Sequence, residues 1–234
     1  AERTKVVYLG APLDEFARAR SGDEIAAARA DLGIAPGTTA IGTITRLMPS
    51  KGNQYLVEAA PTILASRPDV RFFMVGEGEL QAELEQQARA LNLGDRFVFS
   101  GFKRDVAAAL SAFDLVVFPS LWEGTPLTVF EALAMGKPIV ATDADGLLDV
   151  LTDRQDALIV PKANADALAA AVVELLEHPD VAGRLSHEAR KTGQHYDIAA
   201  FVRKMERLYD LLHASSRATR RAGILKADLG FLTE

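Results

Sequence analysis

Cysteine is absent from the 234 residues, so neither a disulfide framework nor a thiolate metal site is open to this chain. Histidine is sparse: the four, at 178, 187, 195 and 213, fall in the C-terminal third, and no His, Asp and Glu grouping has metal-ligand spacing. They read as surface positions on helices. No apolar run approaches the length that spans a bilayer, and Ala1-Glu-Arg-Thr-Lys5 lacks the apolar centre of a signal peptide. Positive charge is also short. The 26 Lys and Arg against 32 Asp and Glu give a net charge of −6, which argues against general nucleic-acid binding. No Gly-Lys-Ser/Thr P-loop occurs, and Gly76-Glu-Gly78 is a dinucleotide fingerprint cut short, with Gln81 where a third small residue is needed.

What is present is a core-forming pattern. Apolar residues make up 49% of the chain, ample for a packed interior, and the length allows one large domain or two small ones. Val6-Val-Tyr-Leu9 reads as a short strand and 10–16 as a loop. Ser21-Gly-Asp-Glu24 is a capping box ahead of a helix from Ile25 to Leu32. Six strand-then-helix units follow: 39–45 with 53–66, 70–75 with 79–91, 96–100 with 104–112, 115–119 with 126–135, 138–142 with 146–151, and 157–160 with 164–177. Two helices, about 180–195 and 198–222, complete the chain. Apolar strands alternating with amphipathic helices predict an α/β fold, a Rossmann-like parallel sheet with helices on both faces. The polar oddities (Arg46, Gly76 to Gly78, Ser100-Gly-Phe102, Glu123, Asp143 to Gly146) all fall just past the carboxyl ends of predicted strands, the edge where open α/β sheets bind ligands.

The most informative stretch is Ser120-Leu-Trp-Glu-Gly-Thr-Pro-Leu-Thr-Val-Phe-Glu-Ala-Leu-Ala-Met-Gly-Lys-Pro138. Pro126 suits the first turn of a helix, while Gly136 and Pro138 stop it. Glu123 then sits in the loop and Glu131 one turn inside the helix. The N–H groups of Leu127, Thr128 and Val129 would face outward from the helix start as an anion site. Carboxylates that accept from sugar hydroxyls, beside amides that donate to phosphate, suit a ligand carrying both.

The seven-residue gap between the two glutamates, in its frame of Gly, Pro and small residues, closely resembles the E-x7-E signature of retaining GT-B glycosyltransferases of family 4. The resemblance runs from about residue 5 to about 212 and covers only the C-terminal, donor-binding half of that family's enzymes. It implies transfer of a sugar from a UDP- or GDP-linked donor to the hydroxyl of a sugar, lipid-linked or other acceptor, with retention and with no cofactor or metal. It also implies a partner domain on the N-terminal side that holds the acceptor. Residues 1–20 would be the crossover from that domain, 21–196 the nucleotide-sugar domain, and 197–234 a C-terminal helix and tail.

Residue by residue, the resemblance assigns Arg46 and Lys51 to the diphosphate and Glu131 to the ribose, with Glu123 lying against the transferred sugar. Gly124, Thr125 and Pro126 join Leu127, Thr128 and Val129 in the nucleotide-binding turn. Gly76 borders the nucleotide, and Gly101, Phe102 and Lys103 belong to the segment whose backbone reads the base. Arg104 and Asp105 read more simply as helix-capping residues. Asp145-Gly146 stands where the family more often has two glycines; Gly146 is expected to keep the bend, with Leu147 and Leu148 offering amides. Trp122 is expected to anchor the loop by packing rather than to stack on a sugar. Arg217, Arg220, Arg221 and Lys226 make a basic end suited to docking on a neighbouring domain or to anionic lipid. The resemblance implies a cytoplasmic protein and leaves peripheral contact with the inner membrane face open. A non-catalytic nucleotide-sugar module and a nucleotide-sugar epimerase are the rival readings.

Overall fold

The computed structural model describes residues 7–124 and 127–219, the last six by backbone alone. Its centre is a six-stranded, wholly parallel sheet: β1 (Thr39–Ile44), β2 (Val70–Val75), β3 (Phe97–Gly101), β4 (Leu115–Phe118), β5 (Ile139–Thr142) and β6 (Leu158–Val160). The spatial order is β3-β2-β1-β4-β5-β6. All six strands match the expected ones to within about two residues at each end, the usual scatter of element boundaries. β1 and β2 pair over their whole length, from Thr39 opposite Val70 to Ile44 opposite Val75. β1 and β4 meet only at Ile41–Leu115 and Gly42–Val116. Chain direction across the sheet reverses between β1 and β4, which opens a crevice at their carboxyl ends.

Strand periodicity sorts the core into two layers. In β2, Phe73 and Val75 face one way, and Phe72 and Met74 the other. The first layer is covered by α2 (Gly22–Asp31), α5 (Val106–Ala112), α6 (Leu127–Met135) and α9 (Pro179–Gly193). The second is covered by α3 (Asn53–Ser66), α4 (Gln81–Ala90) and α8 (Ala165–Glu177). The capping box forms as spaced: the Ser21 hydroxyl accepts from Glu24 N–H at 3.2 Å, and the Glu24 carboxylate accepts from Ser21 N–H at 2.8 Å. Asp105 caps α5, accepting from Ala108 N–H at 2.7 Å.

Two expectations near the N-terminus fail. Residues 7–10 form no strand; the sheet ends at β3 and β6, and beside the segment Ala11 makes only an isolated bridge to Asp197 in the C-terminal region. There Ala11 N–H donates to the Tyr196 carbonyl at 2.8 Å and Ile198 N–H to the Ala11 carbonyl at 2.9 Å. An apolar run without a neighbouring strand has nowhere to send its backbone bonds. Within the expected loop, Asp14–Ala17 makes one helical turn (α1), because Leu13 and Phe16, three apart, both go into the core. The closing helix α10 runs from Ile198 to Thr219. The basic end beyond it, and the side chain of Arg217, lie outside the described residues.

Candidate functional site

The site is assembled by backbone contacts between loops that follow β1, β2 and β4. After β1 the chain enters Thr45 to Gly52, pinned from one side by the turn after β2. Leu47 N–H donates to the Glu77 carbonyl, and Leu80 N–H to the Leu47 carbonyl, each at 3.0 Å. Gly76 has φ 134°, and a Cβ there would sit 1.8 Å from the Thr45 carbonyl oxygen; one on Gly78 would be 2.2 Å from that of Leu47. Only glycine lets the two loops touch. From the other side, the Ser50 carbonyl accepts Leu121 N–H at 2.8 Å and Trp122 N–H at 3.2 Å. The 49–51 turn is thereby tied to the loop after β4.

That tie brings Lys51 and Glu123 together, 72 residues apart in sequence. Lys51 Nζ donates to both Glu123 carboxylate oxygens, at 2.8 and 2.7 Å. The Ser120 hydroxyl donates to Oε1 of the same carboxylate at 2.7 Å, and the Thr142 hydroxyl, from β5, donates to the Ser120 carbonyl. Glu123 is buried, its side chain 8% exposed. Gly146, inside the short helix α7 (Asp145–Leu148), lies on this loop: a Cβ there would be 2.6 Å from the Glu123 carbonyl oxygen and 2.5 Å from that of Gly124. Gly146 therefore serves close approach rather than a bend, its φ being ordinary. The N–H groups of Leu147 and Leu148 both donate to the Ala144 carbonyl, so the expected amides are already taken.

Arg46, Lys51, Glu123, Leu127 and Thr128 line one cleft of about 250 Å³, with Thr43, Thr45 and Ser120. The Arg46 guanidinium is exposed and has no bonded partner among the described residues. The N–H groups of Leu127, Thr128 and Val129 likewise meet no acceptor among those residues; Val129 is buried. Glu131 lies three and four residues after Thr128 and Leu127, hence on the same helix face, although it does not line the cleft. Half-buried and without a partner among the described residues, its carboxyl is pushed up to about 7 by burial. The placements of Thr125 and Pro126 fall outside the described residues.

The segment after β3 is only partly brought in. Gly101 meets the second loop, its carbonyl accepting Gly76 N–H at 2.9 Å, and Phe102 is 69% exposed. Lys103 turns away: its ammonium pairs with Asp31 of α2 at 2.6 Å, on the rim of a separate groove of about 530 Å³ between α2 and α5. That groove is larger than the cleft, yet it opens between α2 and α5, away from the reversal between β1 and β4, and the helix start on it is already capped by Asp105. The four histidines are exposed, as expected. Trp122 is a correction: 63% exposed, it does not pack as an anchor, since backbone bonds from Ser50 already hold the loop.

Sequence reasoning passed over Ser120, Thr43 and Asn53. Ser120 is legible in retrospect, because Ser-x-x-Glu is the spacing at which a hydroxyl and a carboxylate meet. Thr43 and Asn53 are fully buried, and Thr43 Oγ1 and Asn53 Oδ1 have no partner among the described residues; burial of this kind leaves no mark in a single sequence. Among the described residues no three His, Asp or Glu side chains gather as metal ligands, and no helix is long and apolar enough to cross a membrane.

The comparisons with known proteins agree with this fold. The chain is 29% identical over 211 residues to the Escherichia coli UDP-Gal:alpha-D-GlcNAc-diphosphoundecaprenol alpha-1,3-galactosyltransferase, covering 88% of this chain and 54% of that one. It is 30% identical over 177 residues to a GDP-mannose-dependent monoacylated phosphatidylinositol monomannoside mannosyltransferase of Corynebacterium glutamicum, covering 73% and 46%. The Anabaena protein HepE, solved with UDP and glucose, superposes with a TM-score of 0.82 at 26% identity, over 89% of this chain and 57% of that one. The chain thus spans about half the length of the relatives it matches. The sequence profile of the Glycosyl transferases group 1 family covers residues 24–192, from the capped helix α2 through the cleft to the end of α9, and on that match the chain belongs to the group 1 glycosyltransferases.

Proposed function

We propose that this chain is the donor-binding half of a retaining glycosyltransferase, taking a UDP- or GDP-linked sugar and needing no metal. The observation that carries the reading is the cleft itself. At the one place where strand order reverses, it combines Arg46, Lys51, the start of α6 and a fixed Glu123. Relatives whose names specify UDP-galactose and GDP-mannose, and a structural neighbour solved with UDP and glucose, support the class of donor.

In this reading the bond from the anomeric carbon to the diphosphate breaks as the bond to the acceptor hydroxyl forms. Negative charge grows on the leaving diphosphate, where Arg46 and the amides at 127–129 would meet it. Lys51 contributes too: of its three N–H donors two are held by Glu123, which leaves one for a phosphate oxygen. Glu123, held by Lys51 and Ser120, would present its carboxylate edge to the sugar. Glu131 would take the ribose, with the turn at Gly124, Thr125 and Pro126 closing over the phosphates. Gly76 would border the nucleotide, and Gly101, Phe102 and Lys103 would contribute backbone to the base, Lys103 without its ammonium. A partner domain on the N-terminal side would supply the acceptor, and a lipid-linked acceptor would bring the protein to a membrane surface.

Calorimetry with UDP, GDP and ADP in the presence of a chelator tests the reading. Binding of at least one nucleotide is expected without metal. Binding seen only with magnesium or manganese would remove metal independence, and no binding at all would remove the site. Product analysis with labelled donors separates the rivals: sugar on an acceptor, an epimerised donor, or neither.

A further inference from the structure

A second cluster of cations sits at the end of the sheet away from the cleft. Asp114 stands just before β4, and Lys137 and Pro138 just before β5, so they mark the amino ends of those strands, whereas the cleft lies at the carboxyl ends. The four residues of β4 alone separate the two by roughly 13 Å. Here Arg18, Arg20, Lys137 and Arg190 line a pocket of about 410 Å³ with a single carboxylate, Asp114. That carboxylate already accepts from Ala40 N–H at 2.7 Å and from Arg29 at 3.2 Å. Of the four lining cations only Arg18 is matched in full, by both oxygens of Glu24 at 3.1 and 2.7 Å.

Two of the others hold helix ends. Neither α5 nor α6 has a basic residue in its last turn, so cations from elsewhere meet their terminal carbonyls. Lys137 Nζ donates to the Ser111 and Phe113 carbonyls at 3.0 and 2.6 Å, and Arg190 Nη2 to that of Met135 at 2.9 Å. These bonds leave one donor on Lys137 and most of those on Arg190 unspent. Arg190 also lies against Gly136, next to Lys137: a Cβ on Gly136 would be 3.0 Å from the Arg190 Nε. Arg20 holds no helix end. Its side chain is only 8% exposed, its one ion pair is a 3.3 Å contact with the exposed Glu15, and its Nε is buried with no partner among the described residues. Burial pulls the Lys137 ammonium down to about 8, against the pull of Asp114 and with Arg29 and Arg20 adding to the fall. Positive groups are thus held together partly out of water, and a buried guanidinium donor left unspent costs the fold free energy that an anion would return.

We propose that this pocket is a second anion site, taking the phosphate of a small phosphate ester or of a lipid headgroup on Arg20, Lys137 and Arg190. Forked guanidinium groups and an ammonium suit phosphate oxygens. Ile25, Phe113, Met135 and Pro138 in the same lining offer an apolar wall to the body of the ligand. The pocket shares no lining residue with the cleft, and the site stands whether or not the cleft takes a nucleotide.

Inorganic pyrophosphate is the probe for calorimetry, with Arg46→Gln as background so that the cleft does not compete for it. One pyrophosphate site should persist in that background. Adding Arg20→Gln or Arg190→Gln should weaken it roughly 5- to 10-fold. Because Arg20 holds no helix end, Arg20→Gln keeps the fold, which its melting curve without ligand checks. Pyrophosphate should also raise the melting temperature of the background more than that of the double variant. Co-sedimentation with phosphatidylcholine vesicles, with and without phosphatidic acid, separates the two sources of phosphate. Capture by phosphatidic acid that Arg20→Gln abolishes assigns the site to a headgroup, and pyrophosphate binding without vesicle capture assigns it to a soluble ester; either result sustains it. Binding of neither probe, or binding of equal strength with and without Arg20 and Arg190, would overturn the proposal. A wild type that binds no nucleotide would count against the cleft alone.

Discussion

Glu131 stands half-buried with no partner among the described residues and a carboxyl pushed up to about 7, so ionising it costs the empty fold something that a ribose hydroxyl would return. An unfolded chain titrates this group near 4.5. Because the folded value is raised, the native state holds its proton longer, and stability falls as pH rises from about 4.5 to about 7, then levels off. A shift of this size corresponds to about 3 kcal/mol at most. The group is partly solvated, which reduces that to roughly 1–2 kcal/mol. Replacing Glu131 with Gln removes the ionisation and keeps the shape. At pH 8 the variant should therefore melt about 2–8 °C higher than wild type, with the gap closing as pH drops below 5. Nucleotide binding should move the other way. If, as proposed, the ribose donates to the ionised carboxylate, Glu131→Gln should lose about 1.5–3 kcal/mol of UDP or GDP affinity at pH 8, and the wild-type advantage should shrink below pH 7. The phosphates of UDP also titrate in this range, and the variant's own pH profile subtracts that contribution. Scanning calorimetry and binding titrations from pH 5 to 8.5 measure both effects. Equal affinities in the two proteins, or a variant less stable at pH 8, would refute the reasoning.

Lys51→Met strips the buried Glu123 of its ion-pair partner and should cost about 1–3 kcal/mol in urea unfolding, less than a fully buried pair because Lys51 is 23% exposed. Adding Glu123→Gln should recover much of that loss, read as a coupling energy in the double-mutant cycle. Gly146→Ala should push Glu123 and Gly124 outward, costing about 1–3 kcal/mol as overpacking does, and should weaken a nucleotide sugar more than the free nucleotide in calorimetry. Ser120→Ala frees one side of the Glu123 carboxylate and should cost about 1 kcal/mol of stability in urea, with nucleotide affinity unchanged.

The sheet, its order of elements and the edge that carries the cleft were legible because strand and helix periods repeat six times and each unit ends in polar residues. Glu123 and Glu131 were legible as a pair because one loop and one helix turn carry both. The partner of Lys51 was not. Its meeting with Glu123 depends on β1 lying beside β4, a neighbour relation set by how the whole chain winds. Lys103 illustrates the same limit, since Asp31 captures it from a helix 72 residues earlier. The strand expected at 6–9, absent from its described residues 7–9, shows why apolar runs mislead: a strand needs a partner to accept its bonds, and the local residues say nothing of one. Trp122 misled for a related reason. Large aromatics usually pack, and only the backbone bonds to Ser50 made packing unnecessary.

The clasp between Lys51 and Glu123 has a kinetic consequence. Two opposite charges less than 3 Å apart cancel at a distance, so from afar the cleft presents little beyond Arg46 on a chain of net charge −6. A nucleotide diphosphate arriving by diffusion would meet a field that on balance repels it, and would be drawn in only over the last few ångströms. Salt shortens the reach of such fields to about 10 Å at 0.1 M. Moderate salt should therefore hasten capture of the nucleotide while loosening it once bound, the reverse of the behaviour of a basic phosphate-binding groove.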